Sequence, residues 1–238
     1  MPSTDPSVTG LVLGAGGSKR LGRPKQLLAY GDGTLLGHVV DVARSCPFDQ
    51  LIVAIGGAAD EVRAHVDLTG AEVVVNDGYG VGCSSSIAAA LGVVDPNCDL
   101  MVLMLGDQPG VTADTVASLL AGRGDAPLAL CRYDDGPGHP IAFARSVFGA
   151  LADLHGDKGV WRLLDQRADD VTHVPIAGPT PLDVDTPDDY RAVLENLVRC
   201  SPACPPPGRG QSPGCARPGE PGAVLARPKP GLRSSPSA

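Results

Sequence analysis

Long apolar runs are missing from this 238-residue chain, and no stretch reaches the ~18–20 residues that a membrane helix needs. A surplus of positive charge is missing as well. The formal net charge is -8, which argues against nonspecific nucleic-acid binding, because that rests on a basic face. Seven cysteines are present, an odd number without paired C-x-x-C units, so neither a disulfide framework nor a zinc site is indicated. The opening residues, Met1 to Ser7, lack the basic and apolar regions of a secretory signal. These absences leave a cytoplasmic enzyme as the expectation, with neither membrane nor nucleic acid as a partner.

What is present starts at Leu11. An apolar run empties into a loop holding Gly14, Gly16, Gly17 and Gly22 with the cations Lys19, Arg20, Arg23 and Lys25. Glycine lets backbone amides approach a ligand closely. Successive amides beside fixed cations form a concavity for phosphate oxygens. The loop is not a P-loop, because Gly17 is followed by Gly22 and then Arg23 instead of G-x-x-x-x-G-K-[ST]. Nor does it complete the dinucleotide fingerprint, since Lys19 stands where the third glycine belongs. The pattern points to a nucleoside triphosphate, held by local cations against an unfavourable overall field. The competing reading is a basic, flexible surface loop.

Apolar runs at 8–13, 51–55, 73–75, 100–105 and 128–131 suit parallel strands buried on both faces. Between them, Leu35, Val39, Val42 and Cys46 follow helical spacing, as do Ile87, Ala90, Leu91 and Val94 behind the candidate caps Ser84, Ser85 and Ser86. Val116, Leu119 and Leu120 suggest a further helix behind Thr112, and Thr186-Pro187-Asp188-Asp189 marks another helix start. The alternation predicts an α/β fold, a Rossmann-like three-layer sandwich with a mainly parallel sheet. Residues 1–198 read as one domain. Residues 199–238 read as a disordered basic tail, since 201–238 hold ten prolines and five Lys or Arg against one Glu.

In such a sheet, ligands gather beyond the carboxyl ends of the strands. Three polar segments fall there: the glycine loop, Asn76 to Ser86, and Gly106-Asp107-Gln108-Pro109. Asp107, leaving a buried run, is suited to hold Mg²⁺, which takes one or two protein carboxylates and fills its shell with water and substrate oxygens. Asp185 is a candidate for the second carboxylate. The alternatives are a turn-stabilising aspartate at 107 and a helix cap at 185. His139 reads equally as a ligand contact or a turn residue, and Trp161 as core packing. Cys83 reads as a small loop residue or as a ligand contact.

Several segments in order resemble the MobA-like nucleotidyltransferases, and most the molybdenum cofactor cytidylyltransferase branch. Leu13 to Leu28 is similar to L-A-A-G-x-S-x-R-M-G-x-x-K-x-L-L. Gly106 to Pro109 matches G-D-Q-P. Asn76, Gly82, Ser84 and Ser86 match N-x-x-x-x-x-G-x-S-x-S, and Gly138-His-Pro-Ile141 resembles G-H-P-V. Gly156-Asp-Lys-Gly159 and Asp183 to Pro187 resemble G-D-x-G and D-I-D-T-P. Two positions depart: Gly14 replaces the usual alanine, and Cys83 stands where Met or Leu is commoner.

The resemblance implies a nucleotide-diphospho-sugar transferase-like fold and transfer of a nucleoside monophosphate from an NTP to a phosphorylated acceptor. For the cytidylyl branch it implies CTP, Mg²⁺ and molybdopterin, with a molybdoenzyme or its chaperone as a further partner. It assigns Arg20, Lys25 and Asp107 to catalysis, and Asp107 with Asp185 to metal. It assigns Leu13, Gly14, Ala15, Gly16, Gly17, Ser18, Lys25, Asn76 and Ser84 to the nucleotide, and His139 with Ser86 to the acceptor. Ala15, in register with the branch-distinguishing alanine, leans towards CTP. Competing expectations are a GTP-using or other transferase with a different phosphorylated acceptor, an NAD(P)H-dependent oxidoreductase resembling nicotine blue oxidoreductase, and a non-enzymatic cofactor carrier.

Overall fold

The computed structural model describes residues 6–18 and 20–200, with side chains to 198. The chain runs through β1 (Val8–Gly14), a small hairpin of β2 (Ala29–Tyr30) and β3 (Gly33–Thr34), α1 (Leu35–Arg44), β4 (Gln50–Ile55), α2 (Ala59–His65) and β5 (Glu72–Val75). It continues through α3 (Cys83–Leu91), β6 (Leu100–Leu105), α4 (Ala113–Gly122), β7 (Leu128–Tyr133) and β8 (Gly136–Ala144). Then follow α5 (Phe148–Ala152), α6 (Gly159–Gln166), β9 (Val171–Pro175) and α7 (Pro187–Cys200). Seven strands form one sheet in the order β5-β4-β1-β6-β8-β7-β9. Strand β8 alone opposes its neighbours, pairing antiparallel with β6 and β7.

Side-chain alternation along the central strands builds two cores, one on each face of the sheet. Leu11, Ile52, Ala54, Met101 and Leu103 pack with Ile87, Leu151 and Leu163 of α3, α5 and α6. Val12, Val53, Ile55, Val102 and Met104 pack with Leu36, Val62 and Val116 of α1, α2 and α4. Each such side chain contributes ~1.5–3 kcal/mol on burial, against ~0–1 kcal/mol for an exposed ion pair. The sheet therefore sets stability and leaves its charged edge available for chemistry.

Helix starts follow local hydrogen bonding. Thr34 accepts from the Gly37 amide at 3.1 Å and Thr112 from the Thr115 amide at 3.2 Å. Thr186 and Asp189 cap α7 reciprocally: the Thr186 amide donates to Asp189 at 2.7 Å, and Thr186 Oγ1 accepts from the Asp189 amide at 3.2 Å. Helix α3 differs from expectation, because none of Ser84 to Ser86 caps it. The helix already begins at Cys83, and its cap residue is Gly82, with φ +116°. A Cβ there would stand 2.7 Å from the backbone of Gly156 and Asp157, so only glycine lets the two segments touch.

Strands β8 and β9 were also not foreseen. The run Gly136-Pro-Gly-His-Pro140 carries turn residues, yet it forms the first half of a strand. The border expected at 198 falls inside α7. The tail expected beyond it lies, from residue 201 on, outside the described residues. No described helix is long and apolar enough to cross a membrane.

Candidate active site

One cavity of about 790 Å³ opens at the carboxyl edge of the sheet, within the ~300–1,000 Å³ range of small-molecule sites. Leu13, Gly14, Ala15, Gly16, Gly17, Ser18, Arg20 and Lys25 line one end. Ser86, His139 and Trp161 line the other, and Asp107, Asp183 and Asp185 lie on its wall. The expected convergence of the glycine loop with the loops after β5 and β6 is present. Asn76 and Ser84 are not on the lining. The Asn76 amide donates to Ser85 and Ser86 at 2.8 and 2.9 Å, and Ser84 donates to the Gly156 carbonyl at 2.6 Å. Both are buried and brace the loops around the cleft.

The loop after β1 is fixed by Gln26, a residue not singled out from the sequence. Its buried amide donates to the carbonyls of Gly14 at 2.7 Å and Gly16 at 2.8 Å. Ser18, in the left-handed region at φ +49°, accepts from the Lys25 amide at 2.8 Å. Gly16 and Gly17 have no positive φ, and a Cβ on either would meet nothing closer than 3.4 and 3.5 Å. The protein itself does not require glycine at these two positions. A side chain there would instead fill the cradle, which is the signature of close approach by a ligand. Tyr79, also unforeseen, borders this end, with its ring against Gly57.

The acidic group is assembled by one backbone contact. The Val184 amide donates to the Asp107 carbonyl at 3.1 Å. Val184 is fully buried, so its neighbours Asp183 and Asp185 face away from it, beside Asp107. Lys25 Nζ donates to Asp107 and, at 2.9 Å, to Asp185 Oδ1. Arg20 reaches Asp185 Oδ2 at 2.6 Å. Burial opposes the Lys25 charge, but Asp107 and then Asp185 outweigh it and raise its pKa. Burial likewise opposes ionisation of Asp185, yet Lys25 and Arg20 hold its pKa below the usual range. Asp183 is exposed at the rim, but enough protein crowds it that burial, then Asp107 and Asp185, push it up to about 6.

A single cation, the Lys25 ammonium, thus already touches both Asp107 and Asp185. No group of three or more His, Cys, Asp or Glu among the described residues is arranged to hold a metal. Two carboxylates completed by substrate and water oxygens are what Mg²⁺ and similar hard divalent ions use, so the donor set fits such an ion.

At the far end, His139 is buried, with Trp161 edge-on at a ring-centroid distance of 5.7 Å. Burial lowers the His139 pKa to about 4. Trp161 joins the core beneath α6, as expected, but also faces the cleft, which was not expected. Ser86 lines the same end. The Cys83 thiol donates to the Asp157 carbonyl at 3.1 Å, and burial followed by Asp157 raises its pKa.

Solved structures share this fold. The homologue of Mycobacterium tuberculosis Rv0371c from Mycobacterium sp. strain JC1 is 55% identical, with a TM-score of 0.76 over 81% of this chain and 97% of that one. Rv0371c of M. tuberculosis H37Rv, solved in complex with manganese, is 49% identical, with a TM-score of 0.73 over 81% of this chain and 100% of that one. Nicotine blue oxidoreductase of Paenarthrobacter nicotinovorans is 32% identical over 177 residues, 70% of this chain and 86% of that protein. The family model for the MobA-like NTP transferase domain matches residues 10–171. With that match spanning the glycine loop, the acidic strand end and the aromatic end of the cleft, this chain belongs to the MobA-like NTP transferase domain family.

Proposed function

We propose that this chain is a divalent-metal-dependent cytidylyltransferase that moves CMP from CTP to molybdopterin and releases pyrophosphate. The observation that carries this reading is the placement of Lys25, Arg20 and the Asp107–Asp185 pair against an open glycine cradle in one cleft. Membership of an NTP transferase family supports it, as does the manganese complex of a relative 49% identical.

The acceptor's phosphate oxygen attacks the α-phosphorus of CTP, a new P–O bond forms, and the bond to the β-phosphate oxygen breaks. The nucleophile is already anionic, so no strong base is needed. Amides of Gly14 to Ser18 hold phosphate oxygens, and Ala15 narrows the space for the base. Lys25 and Arg20 take charge from the triphosphate and orient it in line. Asp107 and Asp185 hold Mg²⁺ or Mn²⁺, which neutralises charge on the phosphates. His139 and Ser86 contact the acceptor. The cytoplasm supplies the triphosphate, and a molybdoenzyme or its chaperone receives the product.

The test is incubation with each NTP, Mg²⁺ or Mn²⁺ and molybdopterin, reading pyrophosphate release and product mass. CTP-dependent release with a cytosine dinucleotide product is the expected result. Preference for GTP moves the chain to the guanylyl branch. Absence of release with every NTP, together with saturable NAD(P)H binding, replaces the reading with that of an oxidoreductase, as the name of the 32% identical relative suggests.

A further inference from the structure

Lys25 is claimed from two sides. Its ammonium donates to Oδ2 of Asp107 and Oδ1 of Asp185, the carboxylates whose donor set fits a hard divalent ion. It also lines the glycine cradle, where a triphosphate needs a cation. A divalent ion on those same oxygens would stand against the ammonium, and like charges in a partly enclosed site repel strongly. Arg20 also reaches Asp185, at 2.6 Å, but its side chain is exposed, so water takes its charge when the contact breaks. Lys25 is largely buried, so its ammonium leaves the carboxylates at low cost only for another anion.

The side chain can make that move while its backbone stays still. The Lys25 amide donates to Ser18 Oγ at 2.8 Å, and the Lys25 carbonyl accepts from the Leu28 amide at 3.2 Å. The stem then passes beside the cradle, since a Cβ on Gly16 would stand 3.4 Å from Lys25 Cε. Nζ, one bond beyond Cε on a flexible four-carbon stem, turns towards the carboxylates or towards the cradle by side-chain rotation.

We propose that Lys25 is a placeholder cation for the metal site. It pairs Asp107 with Asp185 until a triphosphate accepts its charge in the cradle, and then frees both carboxylates for Mg²⁺ or Mn²⁺. Charge stays balanced, because two carboxylates pass from the ammonium to a divalent ion as the ammonium passes to phosphate. Metal and triphosphate are thus coupled through one side chain, and by linkage each tightens the other by the same factor. This deepens the transferase reading and rests on it for the identity of the triphosphate.

The test is Mn²⁺ affinity of the full chain without nucleotide, read from the electron paramagnetic resonance signal of free Mn²⁺. Lys25→Met is expected to bind Mn²⁺ about tenfold more tightly than the wild type or better, because one neighbouring positive charge is gone. Adding Asp107→Asn to Lys25→Met abolishes that gain, which assigns the ion to these carboxylates. Should Lys25→Met not fold, the wild type answers alone, through acetylation of Lys25 by acetic anhydride followed by mass spectrometry. Saturating Mn²⁺ quickens the labelling by displacing the ammonium, and inorganic tripolyphosphate added with Mn²⁺ slows it again.

Unchanged Mn²⁺ affinity in folded Lys25→Met marks a lysine that serves phosphate alone, and weaker binding marks one that shapes the carboxylates. Either overturns the exchange, as does a gain that survives Asp107→Asn or a labelling rate that Mn²⁺ leaves unmoved. The two ideas fail separately. A tenfold gain in the variant without CTP-dependent pyrophosphate release by the wild type sinks the transferase reading alone. CTP-dependent release without the gain sinks the exchange alone.

Discussion

Lys25 and Asp107, separated by 82 positions in the chain, share a hydrogen bond in the wall of the cleft, where both side chains are about 15% exposed. Removing one partner leaves the other charge enclosed, which is costly. On the proposed function, Asp107→Asn and Lys25→Met are expected to lower nucleotidyl transfer by at least ~100-fold. Each also costs a few kcal/mol of stability, up to ~3–5. The double variant loses less stability than the two single losses added, because the partners interact directly. Urea titrations of the three variants beside pyrophosphate release check this. Full activity in either single variant removes the pair from the site.

Arg20 offers a contrast. Its side chain is 66% exposed although it contacts Asp185 at 2.6 Å. Solvent screens such a pair, so Arg20→Ala is expected to shift stability by no more than ~0.5 kcal/mol. Its effect falls on CTP affinity, weakened about tenfold by loss of a charge-assisted contact. Calorimetry of CTP binding with Mn²⁺ separates the two effects. Equal affinity in the variant denies Arg20 a role at the triphosphate.

Gln26 ties Gly14 and Gly16 through two hydrogen bonds. Gln26→Ala is expected to cost ~1–3 kcal/mol by leaving those carbonyls without their donor. Amide hydrogen exchange within residues 14–18 should quicken, and CTP should bind more weakly. Unaltered exchange there would show that the loop keeps its shape by other means.

His139 predicts a pH dependence. Its folded pKa of about 4 lies below the ordinary 6.5, so the unfolded chain binds this proton more readily. The stability at stake is fully present above pH ~6.5 and is lost as pH falls from there towards 4. It amounts to something on the order of 3 kcal/mol. Unfolding free energies of the wild type and His139→Gln, measured between pH 7.5 and 4.5, should differ in slope, with the variant the flatter. Equal slopes would mean that the imidazole titrates as it does in water.

Gly82 predicts a steric effect. Ala at this position must adopt φ +116° and place its Cβ 2.7 Å from the Gly156–Asp157 backbone. Gly82→Ala is expected to destabilise by at least ~1–3 kcal/mol. It should also release α3 from the loop before α6. A melting temperature within a degree of wild type would refute that tight approach.

The buried parallel strands were legible because Val, Leu and Ile crowd into short runs, and Asp107 was legible because it closely follows the longest unbroken one of them. Strand β8 was hidden by Gly136, Pro137, Gly138 and Pro140, whose turn chemistry is overridden by pairing with β6 and β7. Asp185 could be named as a candidate, whereas Asp183 entered only as part of the motif around it. Their approach to Asp107, however, depends on a backbone bond from Val184, which no local pattern encodes. Ser84 and Asn76 carry the motif, and in this structure their hydrogen bonds brace the loops around the cleft, because hydroxyls and amides serve loops as readily as ligands. Trp161 illustrates the same ambiguity in reverse: one indole both fills the core and meets the cleft.

The reversed direction of β8 has a practical consequence for redesign. Because Leu103 pairs with Ile141, this strand enters the sheet at the ligand-facing edge and leaves it at the opposite one. The short link at 134–135 therefore lies at the same edge of the sheet as the cleft, and the Gly178 and Thr180 amides anchor it through Asp134 and Asp135. An insertion into that link would fall on the edge of the sheet that carries the cleft, whereas the same insertion after Ala144 would fall on the opposite edge.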